Sequence, residues 1–129
     1  MRYQNVQSAI EWLCRAFGFE KYLIVQGEND SIAHVQLTFG NAMIMLGPAS
    51  NDEYGKLIQT PKDLNEVNTQ ARYIVVENID EHYKRAAQEG ADIVIEIKDE
   101  DYGGRGYSCL DLEGHLWNVG SCNPWNESN

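Results

Sequence analysis

An internal repeat with a period of 73 residues constrains the fold of this chain more than any other feature. An apolar stripe with helical spacing recurs in the second half, together with an Asn that can cap each helix and a hydrophobic-glycine pair near the end of each half. The matching pairs are Asn5 with Asn78, Ile10 with Tyr83, Leu13 with Ala86, Cys14 with Ala87, Phe17 with Gly90, Leu46 with Val119 and Gly47 with Gly120. A repeat of this length predicts two copies of one supersecondary unit.

Each copy has the pattern of one helix and four strands, which predicts an α+β fold of two tandem βαβββ modules. Strand patterns lie at residues 22–25, 32–39 and 42–46 in the first copy and at residues 72–76, 93–97, 107–110 and 116–119 in the second. The first copy's opening strand is shortened to about residues 2–4, because its full counterpart would begin before Met1. We therefore place module one at residues 1–49, a linker at 50–69, module two at 70–122 and a tail at 123–129.

The connection between the modules is long and polar, and it shows no hydrophobic period. It is interrupted by Gly55 and Pro61, and residues 61–67 favour a short helix. Connections of this length are uncommon inside compact domains and often serve as linkers or lids. We interpret this one as a linker, and a lid stays open as the alternative.

The charge of the chain argues against several classes of partner. Twenty Asp and Glu residues outweigh ten Lys and Arg, which gives a net charge of −10. Such a surface repels the phosphates of nucleic acids and anionic membranes, and it suits a neutral or cationic small molecule. The sequence also has no apolar stretch long enough to span a membrane.

The cysteines predict a cytoplasmic protein without disulfides. Cys14, Cys109 and Cys122 are odd in number and have no Cys-x-x-Cys spacing, so free thiols in a reducing compartment are the simplest interpretation. We expect Cys14 in the core, since it belongs to the first helical stripe.

Three segments carry a resemblance to a known family. Residues 9–19 (AIEWLCRAFGF) resemble the first helix and turn of the glyoxalase, bleomycin-resistance and extradiol-dioxygenase superfamily, also called the vicinal oxygen chelate superfamily. Residues 111–117 (DLEGHLW) resemble its second hairpin, with Leu112 in place of the usual Pro, and residues 102–107 resemble the segment before that hairpin. The resemblance implies curled mixed sheets around a central cup, with the helices on the convex side.

The resemblance also implies where a metal would bind, and this chain departs from it there. Enzymes of the family hold a divalent metal with His, Glu or Gln on the first and last strands of each module. The matching positions hold Met45, Asn118 and Ala71, and the fourth would precede Met1. A thioether and an amide are poor ligands for such a cation, and Ala offers no donor. We therefore predict no metal, no cofactor and no catalytic residues, with the metal-free bleomycin-resistance branch as the nearest relatives.

Strand alternation predicts which side chains line the cup. If Met45 and Asn118 point inward, Trp117 faces the helices and belongs to the core, while His82 on the second helix is expected in solvent. The predicted ligand-binding residues are His34, Gln36, Met43, Met45, Tyr73, Ser108 and Asn118. An apolar lining with a few polar groups is typical of small-molecule sites.

These residues support one leading function and two alternatives. The first is sequestration of a hydrophobic or cationic small molecule without a metal. The second is a lyase, isomerase or dioxygenase with a divalent metal relocated to His34 and its neighbours, and the third is a non-catalytic module whose cup is filled by its own side chains. In each case we expect a homodimer with twofold symmetry, because the shortened first strand leaves a sheet edge that a partner chain can cover.

Overall fold

The repeat folds as two four-stranded mixed sheets, each with one helix. The computed structural model describes residues 1–126, so the predicted tail lies partly outside the described part. The first module contains β1 (Arg2–Tyr3), α1 (Val6–Trp12), β2 (Glu20–Gln26), β3 (Ile32–Phe39) and β4 (Ala42–Pro48). The second contains β5 (Arg72–Val75), α2 (Ile79–Gln88), β6 (Asp92–Asp99), β7 (Arg105–Leu110) and β8 (Leu116–Gly120).

The strand order is the same in both sheets and confirms the two βαβββ modules. It runs β1-β4-β3-β2 in one sheet and β5-β8-β7-β6 in the other. In each sheet the opening strand pairs in parallel with the last strand, and the other neighbours are antiparallel. Both sheets are curled and neither closes into a barrel.

Residue pairing shows where the 73-residue repeat holds and where it shifts. Arg2 pairs with Gly47 and Val75 with Gly120, so the opening and last strands keep the offset. Gln36 pairs with Met45 in the first sheet, and Ser108 pairs with Asn118 in the second. Gln36 and Ser108 are 72 residues apart, whereas Met45 and Asn118 are 73 apart, so the third strands are shifted by one residue. The second hairpin accounts for this difference, because three residues (112–114) separate Asp111 from its partner His115, whereas two (40–41) separate Phe39 from Ala42.

The first helix begins and ends as its sequence predicts. Asn5 accepts a hydrogen bond from the Ser8 amide at 3.1 Å, and a π-helical turn extends the helix to Phe17 before Gly18 ends it with a φ of +88°. The second helix differs at its start, because Asn78 stands at the N-cap without a side-chain hydrogen bond. The predicted linker helix is reduced to a 3₁₀ turn at Pro61–Leu64.

One hydrophobic core joins the helix-facing sides of both sheets. Phe17 and Phe19 pack edge-on against the indole of Trp117, with ring centroids 5.1 and 5.7 Å apart. Trp117 is fully buried, as alternation predicts. Cys14 lies at the edge of this core and is only partly buried. In residues 1–126, the helices are too short or too polar to cross a membrane.

His82 links the modules, so its expected solvated position is wrong. Its Nε2 lies 3.0 Å from the Phe17 carbonyl of module one, and its Nδ1 lies 2.8 Å from the Tyr107 hydroxyl of module two. The imidazole can donate to the carbonyl and accept from the hydroxyl. The second helix packs against the turn after α1, and this packing encloses the ring.

Candidate functional site

We call the side of each sheet that is turned away from the helices its open face. Alternation along the strands places one set of residues there and buries the other set. Gln36 and Met45 pair on the open face of the first sheet, whereas Val35 and Leu46 pair on the buried side. All seven predicted ligand-binding residues lie on the open faces.

The open face of the first sheet is an exposed apolar patch. Leu23, Val25, Met43 and Met45 are exposed at 43%, 40%, 41% and 51% respectively. Exposed apolar side chains gathered on one face next to polar groups are typical of ligand or partner sites.

A row of polar side chains on β3 runs between the apolar side chains of β2 and those of β4. The side-chain nitrogen of Gln36 lies 3.2 Å from Nε2 of His34, so the amide can donate to that ring nitrogen. At the opposite end, Glu20 pairs with Thr38 and brings a carboxylate to the edge of the face. The face therefore combines two apolar rows with a central polar row that can orient a ligand.

The open face of the second sheet is partly filled by the protein itself. Tyr73 lies over Gly120, where an added Cβ would come within 2.5 Å of the phenol oxygen. Its hydroxyl donates to the Cys122 carbonyl at 2.6 Å, and desolvation raises the pKa of this phenol, which favours the protonated donor. Beside it, the Ser108 hydroxyl donates to Oδ1 of Asn118 at 2.6 Å. Three of the predicted binding residues thus contribute to this self-filled region.

Two residues beside the first open face were not predicted from the sequence. Arg2 and Tyr54 line a cavity of about 290 Å³ together with His34 and Met45. The Arg2 guanidinium lies 4.8 Å from the centre of the Tyr54 ring and donates to the Pro48 carbonyl at 2.8 Å. Arg2 pairs with Gly47, a residue without a side chain, and this leaves room for the guanidinium. Tyr54 is an aromatic residue in an aperiodic linker, and such a position cannot be placed from sequence.

The donors at the positions that hold a metal in related enzymes do not fit a divalent cation. Met45 offers a thioether, Asn118 already accepts a hydrogen bond from Ser108, and Ala71 has no donor. Within residues 1–126, no three His, Cys, Asp or Glu side chains come together as a metal-binding group. The other two histidines are engaged in contacts between the modules.

The hairpin at 111–117 is a structural joint. Oδ1 of Asp111 accepts hydrogen bonds from the amides of Glu113 and His115 at 3.0 and 3.1 Å. Oδ2 accepts from the Tyr3 hydroxyl of module one and from the Trp117 indole. Burial and this carboxylate raise the pKa of Tyr3, so the phenol stays protonated and donates.

Comparison with known proteins supports the same architecture. The model of the family described as Glyoxalase/Bleomycin resistance protein/Dioxygenase superfamily matches residues 1–119. TioX from Micromonospora sp. ML1 is 30% identical, with a TM-score of 0.70 over 93% of this chain and 92% of its own. An uncharacterized protein of Mycobacterium tuberculosis is 26% identical over 116 residues, which are 90% of this chain and 68% of that protein.

A similar fold also occurs in a protein whose structure contains a metal. A mutant of FosX, a fosfomycin resistance protein from Listeria monocytogenes, was solved with Mn(II) and 1S,2S-dihydroxypropylphosphonic acid. It is 15% identical, with a TM-score of 0.64 over 96% of this chain and 86% of its own. At this identity the likeness extends to the fold alone.

Proposed function

We propose, since the chain belongs to the Glyoxalase/Bleomycin resistance protein/Dioxygenase superfamily, that it binds and sequesters a small amphipathic molecule without a metal ion and without chemical change. The exposed apolar patch on the open face of the first sheet carries this proposal. Covering such side chains is favourable by about 25 cal/mol for each Å² of apolar surface removed from water.

Charge favours a cationic or neutral ligand. The net charge of −10 attracts cations at long range, and Glu20 supplies a carboxylate at one end of the patch. The His34–Gln36 pair offers hydrogen bonds that can orient a polar group of the ligand. This arrangement supports the function of the metal-free bleomycin-resistance branch.

A second copy of the chain is the partner that we propose to complete the cup. The open faces leave apolar side chains exposed, and the outer strands β2 and β6 leave unpaired sheet edges in residues 1–126. A symmetric dimer would cover such surfaces. The unpaired Cys14, Cys109 and Cys122 support a cytoplasmic location.

The first test combines metal analysis with ligand binding. We expect the purified protein to contain substoichiometric metal and to gain no thermal stability from Zn²⁺, Mn²⁺, Ni²⁺ or Fe²⁺. Metal-free bleomycin, a cationic amphipathic probe, should raise the melting temperature. Stoichiometric metal with strong stabilisation on add-back would favour the metal-dependent lyase, isomerase or dioxygenase instead. No response to either addition would favour the self-filled cup.

A pair of variants locates the site. Met45→Ser removes the most exposed apolar side chain of the patch and should weaken probe binding about fivefold, which corresponds to about 1 kcal/mol. Leu112→Ser removes a similarly exposed apolar side chain from a hairpin loop outside the patch and should leave binding unchanged. Calorimetric titration measures both, and equal affinities in the two variants would contradict this placement.

A further inference from the structure

A second cavity lies under the linker, next to the cavity beside the first open face. Its volume is about 320 Å³, and it is lined by the linker, by the opening strands of both modules and by the second hairpin. We call this cavity the linker cleft. Its apolar side is formed by Leu57, Leu64 and Val67. Its polar side is formed by Arg2, Arg72 and His115. Arg2 and Tyr54 line both this cleft and the cavity beside the first open face.

The charges of the linker cleft oppose those of the whole molecule. No Asp or Glu lines it, although twenty of the 129 residues are acidic. The ion pairs in residues 1–126 involve Arg15 and Arg105, so Arg2 and Arg72 have no carboxylate partner there. Their guanidinium groups instead donate to the Pro48 and Leu116 carbonyls, at 2.8 and 3.5 Å. Most of their donors therefore stay available, since a guanidinium has five.

His115 adds an unsatisfied polar atom to the cleft wall. The residue is 4% exposed, and its Nε2 donates to the Arg2 carbonyl at 2.8 Å. Its Nδ1 is buried without a hydrogen-bond partner in residues 1–126. Burial lowers the pKa of His115, although the nearby Asp111 carboxylate and the hydrogen bond to the Arg2 carbonyl oppose this shift. Because Nε2 carries the hydrogen of the neutral ring, Nδ1 is an acceptor, so a carboxylate in the cleft has to be bound by the arginines and not by His115.

We infer that the linker cleft is a second binding site, for a small carboxylate with an apolar body. Two guanidinium groups without carboxylate partners can bind a carboxylate through paired hydrogen bonds. The apolar linker side chains can then cover the rest of the molecule. The volume lies at the lower end of the range for small-molecule sites, which favours a ligand of few atoms.

This site is distinct from the proposed sequestration site. It takes an anion, whereas the acidic molecule and the Glu20 end of the patch favour a cation or a neutral ligand. Although Arg2 and Tyr54 line both cavities, the apolar side of the cleft comes from linker residues that do not line the other cavity, among them Leu57, 81% exposed, and Val67, 63% exposed. Binding would cover these side chains and hold the linker against the opening strands.

The experiment compares octanoate with octanamide, which has the same apolar chain but no charge. Calorimetric titration of the full chain should show octanoate binding and much weaker octanamide binding. Arg72→Gln should weaken octanoate binding about tenfold or more. Arg15→Gln removes an Arg that does not line the cleft and should leave the affinity unchanged. Equal binding of the acid and the amide would overturn the proposal, and so would full octanoate affinity in Arg72→Gln.

A second variant covers the case in which Arg72→Gln does not fold. Val67→Glu places a carboxylate on the exposed linker, where it should pair with the arginines and exclude octanoate without disturbing the core. Octanoate binding that survives in this variant would overturn the proposal. Met45→Ser separates the two sites, because it should weaken binding of bleomycin and leave octanoate affinity unchanged.

Discussion

At the scale of single residues, Asp111 joins the two modules through its side chain. One carboxylate oxygen holds the turn of its own hairpin, and the other binds the phenol of Tyr3, which lies 108 positions earlier. Glu113 adds to the contacts between the modules, because its carboxylate accepts hydrogen bonds from the backbone amides of Gln4 and Asn5 at 2.6 and 2.8 Å. Asp111 and Glu113 of the second hairpin therefore have structural roles.

Replacing Asp111 with Ala should destabilise the protein by about 3 kcal/mol or more. The change leaves the Tyr3 hydroxyl and the Trp117 indole buried without their acceptor, and each buried unsatisfied donor costs about 1–3 kcal/mol. Urea unfolding measures the loss. Asp101→Ala, at an exposed loop position, should change the unfolding free energy by less than about 0.5 kcal/mol. Similar losses in both variants would show that the Asp111 contacts contribute little.

At the scale of elements, the two last strands differ because their glycines accommodate different side chains. Gly47 on β4 leaves room for the flexible end of Arg2, and Gly120 on β8 leaves room for the ring of Tyr73. The first open face consequently keeps an apolar surface for a ligand, while the second is partly covered. Gly47 and Gly120 thus occupy the same position in the repeat, but the side chain that lies over each glycine differs, Arg2 in the first module and Tyr73 in the second.

Gly120→Ala should displace Tyr73 from its contact with Cys122 and cost about 1 kcal/mol, the net value of a typical hydrogen bond. In a Tyr73→Ala background the same substitution should cost close to nothing, because the ring that the new Cβ meets is gone. Unfolding free energies of the two single variants and the double variant give the coupling. Additive effects would mean that Tyr73 does not occupy this position.

At the scale of the whole molecule, the contacts between modules bury polar groups as well as apolar ones. His82 binds one group from each module, and burial lowers its pKa. Because the neutral ring is the folded form, protonation favours the unfolded chain, and this contribution to stability is lost as the pH falls below the ordinary histidine value of about 6.5. The contacts that His82 makes between the modules therefore weaken at acidic pH.

The open faces at the same scale predict a dimer. Sedimentation velocity at micromolar concentration should show one species of twice the chain mass, since the exposed apolar surface and the free sheet edges favour pairing with a second copy. A monomer over the whole concentration range would contradict the expected homodimer. The sequestration site would then consist of one chain's open face alone.

The sequence by itself determined the modules, the strand faces and the turns. Helical spacing and two-residue alternation are local properties, so they identified the repeat, the burial of Trp117 and the open-face positions of Met43 and Met45. The Asp111 turn is local in the same way. These features follow from neighbours a few residues apart.

Only the tertiary structure decided how the modules meet and what covers each face. The position of His82 between Phe17 and Tyr107 depends on the packing of one module on the other, which no local pattern encodes. Tyr73 covers its face through a glycine on another strand, and the linker cleft brings together Arg2, Arg72 and His115 from distant segments. The sequence contained these residues, but their proximity results from long-range packing, in which shape and burial select among many contacts that local propensity leaves open.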